Sequence, residues 1–455
     1  MKDNLQSNIS KNRRLLSGWG NFSKSTASLF YPETFGAEYT LPQGTCLARG
    51  LGRSYGDAAL NEQGNLLMTE KFGRILDLTP SGVLTATAGS SLEEIIRYCL
   101  PKGFFLPVTP GTQYVTLGGC IAADVHGKNH HIDGSFSRFV EKFTLMLCNG
   151  TIVTCSPEVN APLFHATVGG MGLTGIILEV VLRLIPVETA YIRTHYRNAK
   201  DLSHNLELLS DRSIEDRYSV SWVDCRAGRK NFGRGVLMTG RHAGKEDLQS
   251  IADPFVIPRK REISIPFYFP DGLLNSSTAR LFNACFYAAN KNKGVHIKDY
   301  AGYFYPLDTV KYWNRVYGKR GFIQYQFVVP EDSGRRSIGK ILQHISDEKR
   351  GSFLAVLKRF GPGNDAPLSF PKEGITLALD IPMRDPGLIS LVEKLDRIVA
   401  DYGGRVYLAK DSLLSPEMFR EMYPRFNEWL AVKREYDPHC RFDSDLSRRL
   451  ALHDL

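Results

Sequence analysis

A two-domain α+β fold is what this 455-residue sequence predicts. Three observations predict it. The chain is too long for a single core. Residues 40–187 alternate short strands with short helices. From about residue 190 the texture changes to aromatic-rich strands separated by amphipathic helices. That second pattern suits an antiparallel sheet covered by helices on one face. The boundaries fall at 1–189, 190–404 and 405–455.

The elements follow in order. Val83–Ala88 is short and β-branched and reads as a strand. Ser91 starts a helix, Glu94 completes its capping box, and Gly103 follows its end. Gly118-Gly119 opens an apolar helix, Cys120–Ala123. Phe143–Cys148 and Thr151–Thr154 flank Asn149-Gly150, which predicts a hairpin with a type I′ turn. Gly175–Ile185 reads as a long strand stopped by Pro186. Strands are expected at Arg217–Trp222, Gly321–Val329, Phe353–Lys358 and Ile375–Ile381. Helices are expected at Ser337–Glu348 and Leu388–Tyr402, the second ending at Gly403-Gly404. Tyr407–Asp411 is a polar strand-to-loop turn, and amphipathic helices follow it.

Hydrophobic content of 43% and charged content of 23% fit a globular chain. No apolar run approaches a membrane span. Residues 1–30 carry Lys2, Lys11, Arg13, Arg14 and Lys24 and lack the apolar core of a secretory signal, so a cytoplasmic protein is expected. The net charge of +9 is spread out. Short clusters such as Arg259-Lys260-Arg261 and Lys291-Asn292-Lys293 read as solvated surface, or as attraction to an anionic substrate or membrane. No nucleic-acid recognition motif accompanies the charge. The eight cysteines stand singly, without C-x-x-C spacing, and read as buried thiols of a reducing compartment.

Two glycine-rich stretches carry the chemistry. The first is Arg49-Gly50-Leu51-Gly52-Arg53-Ser54-Tyr55-Gly56-Asp57. Glycine removes the Cβ that would block an anion, and successive N–H groups can then face phosphate oxygens. The stretch is neither a Walker A loop nor a dinucleotide fingerprint, because spacing and context are wrong for both. Alone it fits a plain turn as well. The second runs from Pro110-Gly111-Thr112 to Thr116-Leu117-Gly118-Gly119, where a helix N-terminus would favour a diphosphate. Two such loops suit a long diphosphate-bearing cofactor, which argues for a flavin. A third cluster, Val168–Gly175, fits either closure over the adenine or a strand turn.

Ala123-Asp124-Val125-His126-Gly127-Lys128-Asn129-His130-His131 contains three histidines without acidic or thiol partners and without H-E-x-x-H spacing, so no metal site is expected. Lys128 is a candidate for an anionic substrate.

These motifs, with Ala166–Ile177, Tyr312–Tyr317, Gln324–Phe327, Phe360–Phe370 and Tyr407–Ser412, resemble the vanillyl-alcohol-oxidase (PCMH-type) superfamily. Within it they are most similar to the decaprenylphosphoryl-β-D-ribose 2′-oxidases. The resemblance implies a PCMH-type FAD-binding fold with an antiparallel-sheet substrate domain, residues 405–455 returning to the FAD domain. It implies FAD held by the backbone from Ala48 to Ala58, by Gly111 and Thr112, and by Thr116–Gly119. Ala123–His126, Ile177 and Tyr407 would contact the rest of the cofactor. Lys410 would sit at the isoalloxazine, and Tyr55 and His126 would lie near the ring. Lys128, Gln326 and Lys358 would line a sugar-phosphate pocket.

The implied reaction moves the 2′ hydride of a polyprenylphosphoryl ribose to FAD. Lys410, Tyr55 or a water would accept the proton. A short-chain dehydrogenase/reductase partner would complete epimerisation to the arabinose donor of cell-envelope glycans. The lipid substrate implies a membrane surface. Three positions depart from the family. Arg53 stands where many members carry a flavin-linking histidine, so non-covalent FAD is expected. Ala378 stands where mycobacterial-type members carry cysteine. Phe304 takes the place of a pocket tyrosine, with Tyr305 next to it. Two other readings remain open: an aldono-lactone or alditol oxidase of the same superfamily, and a non-catalytic basic binding protein.

Overall fold

The computed structural model describes residues 12–36, 39–227, 229–248, 253–257, 263–290, 293–348, 350, 352 and 354–453. Residues 1–11, with Lys2 and Lys11, lie outside the described residues, as do Arg259-Lys260-Arg261, Lys291-Asn292 and Phe353.

The first half builds two sheets. One has the order Arg13–Ser17, Lys24–Phe30, Asn65–Met68, Cys46–Arg49, and its last three strands run parallel. The other is antiparallel, in the order Ile75–Leu78, Val83–Thr87, Ile176–Arg183, Val140–Met146, Ile152–Cys155. The capping box at Ser91 is present: its hydroxyl accepts from Glu94 N at 3.2 Å, and the Glu94 carboxylate accepts from Ser91 N at 2.8 Å.

The hairpin at Asn149-Gly150 forms, but not with a type I′ turn. Leu147 N donates to Thr151 O at 2.8 Å and Gly150 N to Leu147 O at 2.9 Å, which leaves a three-residue loop. Gly150 has φ +85°, whereas Asn149 is not left-handed. The arrangement is a G1 bulge, in which one glycine absorbs the turn.

The second half is an eight-stranded antiparallel sheet. Its order is Gly294–Asp299, Tyr191–Ala199, Gly235–His242, Tyr218–Val223, Ala355–Phe360, Gly374–Pro382, Phe322–Val329, Arg405–Val406. Alternation divides its two faces. Ile323, Tyr325, Phe327 and Val329 join Ile338, Ile341, Leu391 and Leu395 in one core under the helices Leu202–Ser210, Glu331–Asp347 and Gly387–Asp401. Gln324 and Gln326, on the opposite pleat, line a cavity. The helix at 331–347 starts six residues before the expected Ser337. Gly334 resembles a breaker, yet it is buried: a Cβ there would stand 3.1 Å from Ile375. The glycine is kept for that close approach.

The apolar helix after Thr116 also starts earlier, at Leu117, because the Thr116 hydroxyl caps Gly119 N at 3.3 Å. At the other end of the chain, Arg405–Val406 closes the sheet edge beside Phe327. The helices Phe426–Tyr436 and Asp445–Arg449 then lie against the first half. There Trp429 Nε1 donates to Ala166 O at 3.0 Å and Lys433 Nζ to Leu173 O at 2.6 Å.

Candidate active site

A cavity of about 1090 Å³ runs between the two halves, lined by the glycine loops on one side and the bare face of the eight-stranded sheet on the other. That exceeds the ~300–1,000 Å³ of an ordinary small-ligand pocket. Room remains for a cofactor and a substrate together.

The loop at 50–54 turns a run of backbone donors to the cavity. Among the described residues, nothing accepts a hydrogen bond from the N–H groups of Gly50, Leu51, Gly52, Arg53 or Ser54. Five consecutive free donors at a cavity wall fit a diphosphate. The loop is anchored at its far end, where Tyr55 N donates to Ala409 O at 3.0 Å. Gly56 lies so close to Asp411 O that a Cβ would stand 1.7 Å from it, so no side chain fits. The second loop contributes differently. Leu117 N and Gly118 N donate to the carbonyls of Ser90 and Ala88, each at 2.8 Å. The helix start therefore offers room and not free N–H groups. Gly111 and Thr112 line the cavity, and Gln113 N is held by Asp308 at 2.9 Å.

The inner floor carries the polar groups. Gln326 Nε2 meets His126 Nε2 at 2.9 Å and donates to Thr376 Oγ1 at 3.1 Å. His126 lies among the rings of Phe360, Phe370 and Tyr407, and burial holds it well below its ordinary pKa. It is a neutral ring. Burial also pushes the Tyr55 phenol well above its usual value. The Lys410 ammonium lies 5.4 Å from the Tyr55 ring centroid. Burial lowers it to about 8, opposed by the charge of Asp380. Asp380 is lifted toward about 6 by burial, although Gln324 and Tyr317 donate to it at 2.5 and 3.2 Å. The two titrate as a pair.

Lys358 faces the same space, and burial, then Lys410 and Lys128, drive its pKa well down. Among the described residues neither Lys358 nor Lys410 has a hydrogen-bond acceptor. Lys128 is lowered to about 7 by burial, donates to the Tyr303 carbonyl, and lies 4.1 Å from the Tyr303 ring centroid.

Most expected site residues meet here. Lys410, Tyr55 and His126 line the cavity, as do Lys128, Gln326, Lys358, Phe304 and Ala378. Five do not reach it. Arg49 donates to Ser17 O and Ala59 O beneath the loop, at 2.9 and 2.6 Å. Gly56 is sealed against Asp411, and Asp57 is paired with Arg449. Leu117 is buried in the core. The Asp124 carboxylate is consumed by Ser135, Ser137, Asn364 and Ser369. These residues shape the cradle from behind. Tyr305, fully buried, bonds its hydroxyl to Thr109 and does not line the cavity. Tyr303, two residues earlier, does line it.

Asp380 and Gln324 were missed from sequence. The signal was a period of two: Gln324 and Gln326 alternate in an apolar strand, and Asp380 stands two residues beyond Ala378. Among the described residues no group of three or more His, Cys, Asp or Glu could hold a metal.

Residues 42–156 match an FAD-binding-domain family, and residues 318–450 match the D-arabinono-1,4-lactone oxidase family. The chain is 38% identical to a decaprenylphosphoryl-β-D-ribose oxidase of Mycolicibacterium smegmatis over 96% of this chain and 97% of that protein. It is 34% identical to an uncharacterized Streptomyces coelicolor protein over 80% of this chain and all of that one. Bovine L-gulonolactone oxidase is 23% identical over 86% of each. The free N–H run, the two-sided cavity and near full-length similarity agree: the chain belongs to the decaprenylphosphoryl-β-D-ribose oxidase family and is an FAD-dependent oxidoreductase.

Proposed function

We propose that the protein oxidises the 2′-hydroxyl of a polyprenylphosphoryl-β-D-ribose to the 2-keto sugar. The observation that carries this is the convergence of Lys128, Lys358 and Lys410 on one cavity that also holds the free N–H run. Among the described residues Lys128 and Lys358 face no protein anion and Lys410 faces only the buried Asp380, so an anionic sugar suits the cluster better than a neutral lactone.

Bound FAD supplies the hydride acceptor. The protein's residues position and polarise the substrate. Lys128 holds the phosphate side, and Lys358 lines the sugar pocket beside it. Gln326, fixed by Thr376 and His126, keeps a carbonyl oxygen without a protein partner for a sugar hydroxyl. Tyr55 holds its proton too tightly and His126 takes one too weakly to serve as base. The Asp380 carboxylate, lifted toward neutrality, is the group suited to receive the hydroxyl proton. Lys410 keeps a positive charge beside it. Arg53 donates to Leu51 O and stacks 4.2 Å from the Trp19 ring centroid. A guanidinium there forms no flavin linkage, so FAD is held non-covalently.

The keto product then requires a reductase of the short-chain dehydrogenase class. A lipid-linked substrate brings the enzyme to a membrane surface, and exposed Phe267 and Leu281 suit that encounter. No described helix is long and apolar enough to cross a membrane.

The test is anaerobic bleaching of bound flavin. A polyprenylphosphoryl ribose should bleach it, and free ribose and aldonolactones should not. Bleaching by aldonolactones alone would overturn the proposal. That second reading draws on the lactone-oxidase match over 318–450 and predicts indifference to Lys128→Ala.

A further inference from the structure

The outer half of the cavity has a composition the ribose and flavin do not use. Its floor is the far part of the eight-stranded sheet. Val220, Met238 and Tyr196 lie side by side on adjacent strands, with Trp222 two residues along from Val220. Its roof is the helix Ser276–Ala289, capped by Asn275. Phe286 lies 4.7 Å from Trp222, centroid to centroid, and Phe282 lies 6.2 Å from Phe286. Leu273 and Leu274 continue the wall. Phe282 is 49% exposed and Leu281 67% exposed, so the trough opens outward along apolar side chains.

At its inner end three cations gather on tyrosines. Lys298 Nζ donates to the Tyr196 hydroxyl at 2.5 Å. Lys293 Nζ lies 5.5 Å from the Tyr196 ring centroid and donates to Asn290 Oδ1 at 3.0 Å. Lys128, on the facing loop, rests on Tyr303. Among the described residues none of the three has a carboxylate partner. Burial makes the Lys128 charge costly without an anion, while Lys298 is half-buried and Lys293 stands exposed at the mouth, where both remain open to a ligand. An isoprenoid chain needs no hydrogen bonds, and the trough walls offer mostly rings, thioether and aliphatic groups.

The geometry points to a split lipid-phosphate site: the phosphodiester held between Lys128 and Lys298, with Lys293 outside them, and the isoprenoid chain laid between Trp222, Met238 and the Phe282–Phe286 face of the helix. This rests on the proposed function and extends it, because Lys298, Lys293 and Tyr196 stand outside the sugar pocket. Each buried methylene adds favourable transfer energy, so affinity rises with chain length while the trough lasts. The helix of 14 residues limits that length to about 21 Å.

Calorimetric titration of the FAD-loaded protein tests the site. The probes are inorganic phosphate, isopentenyl phosphate, geranyl phosphate, farnesyl phosphate and farnesol. Affinity should climb along the phosphate series, and farnesyl phosphate should bind at least about tenfold tighter than farnesol or inorganic phosphate. Lys298→Gln should weaken every alkyl phosphate about tenfold and leave farnesol unchanged, and Lys298→Arg should restore most of it. Phe282→Ser should flatten the chain-length dependence. Flavin absorbance and melting temperature report whether each variant is folded.

Equal affinities along the series overturn the proposal, as does unchanged binding in Lys298→Gln. So does Lys298-dependent binding of phosphatidylglycerol vesicles without competition from farnesyl phosphate, because the lysines would then read membrane headgroups. If the series behaves as expected but polyprenylphosphoryl ribose fails to bleach the flavin, the reaction assignment fails and the site stands. If bleaching occurs and the series is flat, the site fails alone.

Discussion

Arg449 and Asp57 form a two-point ion pair, Nε to Oδ2 at 2.7 Å and Nη2 to Oδ1 at 2.8 Å. The same Nη2 donates to Asp411 at 2.8 Å, and Nη1 to Leu414 O at 2.7 Å. One side chain, Arg449, therefore ties the end of the first glycine loop to the turn that carries Lys410. The two walls of the cavity are registered by a guanidinium that does not line it.

Arg449→Gln should leave two carboxylates buried without a counter-charge and destabilise the protein by about 3 kcal/mol. Arg449→Lys keeps charge but loses the fork, so its main effect should be on loop registry. The expected outcome is a modest fall in melting temperature with a roughly tenfold weaker FAD affinity, read by flavin titration of the apoprotein. Wild-type FAD affinity in Arg449→Lys would show that the pair serves stability alone.

The pH profile of the coupled pair has a defined sign. Asp380 is lifted toward about 6, so its carboxylate is available above that value and lost as pH falls through it. Lys410 is lowered to about 8, so its charge is kept below that value and lost above it. With Asp380 as proton acceptor and Lys410 as the fixed cation, kcat/KM should rise through about 6 and fall through about 8. Asp380→Asn should remove the acid limb. A rate that keeps rising above 8 would instead make neutral Lys410 the base.

How much of this was legible in the sequence depends on range. The capping box at Ser91 and the existence of the 143–155 hairpin are local, and local chemistry announced them. The turn type was misjudged because Asn149-Gly150 fits either two left-handed residues or one, and the extra loop residue decides. The helix start at Glu331 lies ahead of the expected Ser337, and the contact that uses Gly334, with Ile375, is 41 residues away in sequence. The glycine loops, Lys128 and Lys410 stand in sequence motifs, whereas Lys358 was implied only by the family resemblance. Arg449 with Asp57, and Lys298 with Tyr196, were not legible: each pair is joined only by tertiary folding, across 392 and 102 residues.

Lys358 separates stability from function. Its amine faces Lys410 and Lys128 with no acceptor among the described residues, so in the ligand-free fold burial and these neighbours push it toward the neutral form, and a bound anion restores its charge. Lys358→Met should stabilise the apoprotein by about 1 kcal/mol, seen as a higher melting temperature, and raise KM for the anionic substrate about tenfold or more. A lower melting temperature would mean that the charge is already compensated before substrate arrives.

Ala378 offers a last check on the orientation of the floor. It sits opposite Gln326 and Val356 in the sheet and is only 5% exposed, with its face toward the cavity. The native protein has no thiol lining that cavity. Ala378→Cys would place one beside the cluster of Lys358 and Lys410, where positive charge favours thiolate and burial opposes it. Iodoacetamide labelling followed by peptide mapping should find residue 378 modified in the variant. Farnesyl phosphate alone should protect it partly, and FAD with a polyprenylphosphoryl ribose should protect it fully. Labelling that ignores both ligands would place the floor of the reaction site elsewhere on the sheet. Protection by the ribose conjugate and not by the flavin would assign Ala378 to the sugar side of the cavity.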